Sequence, residues 1–375
     1  MLLLVVYLQK SLNLKIQNKV KKVLVVATSR KTRGGITSVV KSYEGTELWT
    51  KYSCRWIETH KDSNILVKLL FCVKAFFYYM FLLPSYDLVH IHIGEAPSAL
   101  RKIPFMFLAK TLRKKTIVHF HSFSTDTTIN GKFSNLYKYL FRNADRVIVL
   151  SNWWKEQVLN KWNGIKVEVL YNPCNNIISS STNPDVLTKG DNKYILFAGT
   201  LSKRKGYADM MYAFKKISTS VPDWKIVFAG NDELGHEGES KALMNMLSLN
   251  NQCELLGWIS GEEKDKIFKN ASIFCLPSYA EGFPMAVLDA WSYGLPVITT
   301  PVGGIPDIAN NGVNMLLFNP GDIDGLSECM HKMIIDANLR KSISKESVNL
   351  AENVFNINTI TKSLDNLYQE IFGEE

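Results

Sequence analysis

A short, continuous apolar run bounded by charge or turn residues recurs along this chain and constrains it more than any other feature. Such runs lie at Lys21 to Thr28, Asp87 to Ile93, Lys115 to His121, Ala144 to Ser151, Tyr194 to Gly199, Trp224 to Gly230, Ala271 to Ser278 and Pro296 to Thr300. Lys21 to Thr28 is a continuous rather than alternating example, as expected of a parallel strand buried on both faces, and the others read as further strands of that kind, two of them carrying histidines. Helical stretches separate them, so the chain reads as α/β, with doubly wound parallel sheets. At 375 residues it is long enough for two cores. The polar stretch after Ile178 marks the boundary. The expected organisation is an N-terminal extension (1–20), a first Rossmann-like domain (21–178), a linker (179–192), a second such domain (193–354) and a C-terminal helix (355–375) crossing back to the first.

Charge is divided unevenly between the halves. The first 190 residues hold 28 Lys and Arg against 11 Asp and Glu, a net +17; the remainder hold 16 against 24, a net −8, giving the overall +9. An anionic partner for the first domain, such as a membrane surface or a phosphate-bearing acceptor, is therefore expected, with ordinary surface solvation as the plain alternative. Nucleic acid is disfavoured because no binding module or stacking motif accompanies the basic residues. The six cysteines are scattered without a C-x-x-C pair, which argues against zinc and disulfide frameworks and for a reducing, cytoplasmic compartment. Met1 to Leu8 is apolar but too short to span a bilayer and lacks signal-peptide flanks. Ile65 to Leu83 is apolar for nineteen residues apart from Lys68 and Lys74, and reads either as a core helix or as an interfacial one.

Several strand ends carry chemistry. Ser29 to Ile36 contains Gly34 and Gly35 at a strand-to-helix turn, a tight turn or a phosphate-approaching loop. His90 and His92, and His119 and His121, are two apart on their strands and so share a face. No cysteine or carboxylate pattern surrounds them as a metal site would require, and His121 alone ends its strand in a polar loop. Lys203-Arg204-Lys205-Gly206 follows another strand; three adjacent cations form a solvated turn or a polyanion clamp. Finally, Glu281-Gly282-Phe283-Pro284-Met285 leads into a helix carrying Asp289 and stopping at Gly294. An acid thus sits at the mouth of a helix whose free amides suit a phosphate.

The spacing Glu281-x7-Asp289 resembles the E-x7-E element of family 4 glycosyltransferases, retaining enzymes of the two-domain GT-B fold. The similarity spans nearly the whole chain, including Gly34-Gly35, Asn172-Pro173, Arg204-Lys205, Val227 to Gly230 and Gly303-Gly304. The resemblance implies that Glu281, Gly282, Phe283, Pro284 and Met285 hold the donor sugar and that Asp289 holds the ribose. It implies that Arg204 and Lys205 neutralise the departing nucleoside diphosphate and that the backbone at Gly257 reads the base. Gly34 and Gly35 would face the diphosphate, and His121 would lie beside the donor sugar and acceptor hydroxyl. Asp289 and Asp307 stand where the family commonly has Glu.

The implied activity is transfer of a sugar from a UDP- or GDP-sugar to a saccharide or lipid-linked saccharide in cell-surface polysaccharide assembly, peripherally at the cytoplasmic face of the membrane. No cofactor or metal is expected, since cations already face the diphosphate and no D-x-D element ends a strand. A glycosidase pair is disfavoured, because eight helical residues separate Glu281 from Asp289 by about 12 Å along the axis, whereas such pairs stand about 5–9.5 Å apart. The alternatives are another GT-B enzyme, an epimerase or phosphorylase, or a non-catalytic nucleotide-sugar scaffold.

Overall fold

The computed structural model describes residues 20–174 and 192–374. Most of the expected extension and linker lie outside them. In the first half the elements run β1 (Val23–Ala27), α1 (Gly35–Glu44), α2 (Glu47–Lys51), β2 (Arg55–Glu58), α3 (Ile65–Leu82), β3 (Leu88–Ile93), α4 (Ala96–Thr111), β4 (Lys115–Phe120), α5 (Ser134–Asn143), β5 (Arg146–Val149), α6 (Asn152–Lys161) and β6 (Val167–Val169). The second half continues with β7 (Tyr194–Ala198), α7 (Tyr207–Ile217), β8 (Lys225–Ala229), α8 (Glu239–Met246), β9 (Cys253–Gly257), α9 (Gly261–Asn270), β10 (Ile273–Leu276), α10 (Met285–Ser292), β11 (Val297–Thr299), β12 (Leu316–Leu317), α11 (Ile323–Ile335), α12 (Ala337–Asn353) and α13 (Ile357–Gly373).

Two six-stranded parallel sheets result, ordered β2-β1-β3-β4-β5-β6 and β12-β11-β10-β7-β8-β9. The apolar runs form them because both faces are covered: every residue of β1, β3, β5 and β10 is buried. Each sheet reverses its winding once, at β1/β3 and at β7/β10. Outside the strand ends at such a switch point an open sheet leaves its crevice.

The last helix belongs to the first core. Ile360, Leu364, Leu367, Tyr368 and Ile371 of α13 pack with Val23, Val25, Val39 and Val40. Asp365 accepts from Tyr52 Oη at 2.6 Å and pairs with Lys51 at 2.7 Å. A chain end from the second half thus stitches the halves together.

The apolar stretch at 65–83 is not a core helix. Of α3 only Ala75 and Tyr79 are buried, and Ile65 and Phe81 are each about 80% exposed. Its composition suits a buried helix, but it covers the β2 edge of the sheet, where one side of the helix has nothing to pack on.

Candidate active site

The carboxylate at the head of the donor-like loop is held by three groups at once. Glu281 is only 7% exposed. Its Oε1 lies 2.5 Å from Lys205 Nζ, accepts from Ser278 Oγ at 2.7 Å, and stands 3.5 Å from Arg204. Burial alone would raise its pKa, but the Lys205 ammonium and the Arg204 guanidinium outweigh it and hold the carboxyl below the usual range. Glu281 is therefore an anion at neutral pH. Arg204 also donates to Ala280 O at 2.7 Å, and its guanidinium lies over the Phe123 ring, 4.4 Å from the centroid. The two cations are spatially joined to the acid rather than free.

Glycines make this junction possible. Gly206 sits at φ +70°, and a Cβ there would meet Pro277 O at 2.1 Å. Gly282 lies against the first domain, since a Cβ would meet Ser122 O at 2.5 Å. That contact brings the Glu281 loop to the loop following His121. Gly34, at φ +140°, and Gly35 stand across the cleft, and a Cβ on Gly35 would lie 3.6 Å from Met285 Cγ. Arg33 of the same loop lies over the Trp258 ring at 4.6 Å, beside Gly257 at φ +71°.

The helix α10 starts one residue later than the proline suggests: Pro284 is its cap and Met285 its first residue. Pro284 O accepts from the Val287 and Leu288 amides at 3.1 and 3.3 Å, and helix geometry gives the Met285 and Ala286 amides ahead of them no i−4 acceptor. Asp289, in the second turn, is not free. Its Oδ2 is 2.7 Å from Lys264 Nζ on α9; burial raises its pKa and Lys264 limits the rise.

Phe283 turns its side chain away from the cleft. Its ring is buried against Tyr171 (5.4 Å) and Phe355 (5.2 Å), and its carbonyl accepts from Asn172 Nδ2 at 3.1 Å. It is a domain-interface residue that leaves only its backbone to the loop. Asp307 has the same kind of role: its Oδ2 accepts from the Asn152 amide at 2.6 Å and from Tyr171 Oη at 3.1 Å.

On the opposite face the four histidines form one cluster of two stacked pairs, His90 on His92 and His119 on His121, with ring centroids 4.4 and 4.1 Å apart. His121 Nε2 is 2.9 Å from His92 Nδ1, and His90 Nδ1 is 2.7 Å from Tyr368 Oη. Burial drives all four pKa values down, to about 3 for His90 and His121, so the imidazoles are neutral. Nitrogens of His90, His92 and His119 lie within 4.8 Å of one another. Facing nitrogens in this cluster already engage one another, His92 Nδ1 with His121 Nε2 and His90 Nε2 with His119 Nδ1 at 3.3 Å. His121 is the member that reaches the cleft edge.

Three residues of this site escaped the sequence reading. Glu95 accepts from Ser122 Oγ at 2.8 Å and from Thr127 Oγ1 at 2.5 Å, ordering the loop after His121. Its position just past the end of β3 was the available signal. Ser278 and Lys264 carried none, because their partners Glu281 and Asp289 define them only in space.

Two Rossmann-like domains facing a cleft, with an ion-paired acid at a helix mouth beside a glycine loop, define a nucleotide-sugar transferase architecture of the GT-B type. Residues 180–349 match the family described as Glycosyl transferases group 1, and residues 61–176 match Glycosyltransferase Family 4. The chain is a family 4 glycosyltransferase. It is 26% identical over 341 residues to the Escherichia coli UDP-Gal:alpha-D-GlcNAc-diphosphoundecaprenol alpha-1,3-galactosyltransferase, covering 84% of this chain and 81% of that one. An uncharacterized glycosyltransferase of Methanocaldococcus jannaschii is 28% identical over 226 residues, 58% of this chain and 57% of its own length. Among solved structures, sucrose-phosphate synthase from Thermosynechococcus elongatus superimposes with a TM-score of 0.77 at 18% identity, over 95% of this chain and all of that one.

Proposed function

We propose that this enzyme transfers a hexosyl group from a UDP- or GDP-sugar, with retention of configuration and without a metal, to a hydroxyl of a lipid-linked saccharide. The work belongs to cell-surface polysaccharide assembly at the cytoplasmic face of a membrane. The observation that carries the reading is the Lys205–Glu281–Arg204 cluster at the mouth of α10, across the cleft from Gly34 and Gly35.

In that geometry the roles separate. Glu281, ionised and an acceptor, suits the hydroxyls of a bound sugar. Lys205, Arg204 and the first amides of α10 suit the negative charge that grows on the diphosphate as its bond to the anomeric carbon breaks. One such preorganised donor contributes roughly 2.7–4 kcal/mol. The acceptor oxygen bonds to the same face of the anomeric carbon, and its proton passes to the leaving phosphate oxygen. Two features support this route. His121 is neutral, so it positions rather than protonates, and Asp289 is occupied by Lys264. The lipid-linked acceptor rests on the basic first half and on the printed acceptor of the Escherichia coli relative.

The purified protein, treated with a chelator and given UDP- and GDP-sugars with a lipid-linked saccharide, is expected to form a glycoside with the donor's anomeric configuration, read by NMR. An inverted product sinks the retaining route. Activity only on addition of divalent metal sinks the metal-free one, and donor consumption without acceptor points to an epimerase or phosphorylase.

A further inference from the structure

Helix α4 buries Ala96, Ala99, Lys102, Phe105, Met106 and Ala109, so a lysine occupies a place in its apolar stripe. Lys102 has no exposed surface, and its ammonium reaches one hydroxyl, Ser98 Oγ, at 3.4 Å. The charged neighbour acting on it is Arg101, which repels it, and burial with that repulsion lowers its pKa to about 7. A buried cation without an anion is costly. Around it the pattern repeats: Arg101 Nε, His60 Nδ1 and His92 Nε2 are buried without hydrogen-bond partners. Lys68, in the first turn of α3, acts on His60 together with Arg101 and Lys102. The local acid is Asp62, 3.4 Å from His60 and largely exposed.

This buried cluster is tied to the glycine loop. The His60 carbonyl accepts from the Ser29 amide at 2.8 Å, and Asp62 accepts from the Arg33 amide at 3.3 Å, both in the glycine loop. Beside it runs the bare side of α3, where Ile65, Leu66, Leu69, Leu70, Phe77 and Phe81 are exposed. No acid occurs from 63 to 86. By length and composition α3 could cross a membrane. Phe76 and Tyr79, however, hold it against Phe105 of α4, with ring centroids 5.4 and 5.0 Å away, so it lies along the domain.

We propose that Lys102, Arg101, Lys68 and His60 bind the phosphate or diphosphate group of the acceptor lipid, while the apolar side of α3 rests in the membrane interface. The proposal rests on the acceptor reading above and adds the residues and the anion. A phosphate supplies the charge that Lys102 lacks and accepts from the unpartnered nitrogens. An apolar helix flanked by cations and free of acids matches an anionic bilayer surface better than a protein face.

The test uses the full chain carrying Lys205→Ala, so that the donor cradle does not compete for the probe. Inorganic pyrophosphate is expected to bind and raise the melting temperature, and Lys102→Met added to that background is expected to weaken binding at least 30-fold. Without the anion the Met variant should melt no lower than its parent. Arg101→Gln serves if it fails to fold. No pyrophosphate binding, or binding indifferent to both substitutions, overturns the site. Flotation with phosphatidylcholine vesicles, with and without phosphatidic acid, separates the sources. At least tenfold more protein should float with the phosphatidic acid vesicles, and Leu70→Glu with Phe77→Glu and Phe81→Glu should abolish the difference. Pyrophosphate binding without flotation establishes the anion site and overturns the membrane face. A wild-type chain that ignores nucleotide yet binds pyrophosphate through Lys102 faults the donor reading alone.

Discussion

The two walls of the cleft solve opposite electrostatic problems. On the second domain, Glu281, Lys205 and Arg204 are ionised and locked together, with Ser278 and the Ala280 carbonyl taking their remaining contacts. On the first domain, the His90, His92, His119 and His121 cluster is neutral, and burial with repulsion from Arg101 pulls the nearby Lys102 ammonium down to a pKa of about 7. One wall carries its charges in a paired cluster, whereas the other keeps its imidazoles neutral.

The largest effect is expected where the paired cluster is broken. Lys205→Ala should lower kcat about 100- to 1000-fold, the cost of losing one preorganised donor, in a steady-state transfer assay. A loss confined to KM would mean that Lys205 only binds.

Acid should reveal the next difference. Folded histidines with depressed pKa values favour the native state fully above the unfolded value near 6.5. That contribution falls as pH drops, because the unfolded chain takes up protons first. Each of His90, His92 and His119 should therefore cost up to about 1.4 kcal/mol per pH unit below 6.5. Glu281, with a lowered pKa, contributes above the usual carboxylate range and loses its contribution only below it. Protection factors, which discount the intrinsic slowing of amide exchange in acid, should thus fall between pH 7 and 5 in β3 and β4 while those of α10 and β10 hold. An equal fall in both sheets would erase the contrast.

A smaller change is expected where the walls touch. Gly282→Ala places a methyl against Ser122 O, an overpacking cost of about 1–3 kcal/mol, read as a lower melting temperature. The smallest belongs to Asp289→Asn, which loses the charge paired with Lys264. If Asp289 holds the ribose, KM for the donor should rise several-fold, about 1 kcal/mol for one hydrogen bond, with kcat nearly unchanged.

The strands and the ligand side of each sheet were legible because parallel strands buried on both faces leave continuous apolar runs, and because glycines and cations cluster at their ends. Arg204, Lys205 and Glu281 could be picked out as candidates, but their union into one buried cluster could not, since 76 residues separate them along the chain. The place of the Phe283 ring was hidden for a related reason: its neighbours Tyr171 and Phe355 lie in distant segments, and nothing local marks an aromatic as an interface residue. The α3 stretch shows a further limit. Core and membrane-facing helices share one composition, and only its place on the sheet edge shows that one side is left bare.

The most direct test of the account is thermal unfolding with millimolar UDP, GDP and ADP, without divalent metal, on the wild-type chain and on Lys205→Ala. A nucleotide at 100 times its dissociation constant adds about 2.7 kcal/mol of stability. The account predicts that UDP or GDP raises the wild-type melting temperature by several degrees and leaves the variant unmoved. An equal shift in both proteins, or none in either, would contradict the assignment of the Lys205–Glu281–Arg204 cluster as the donor site.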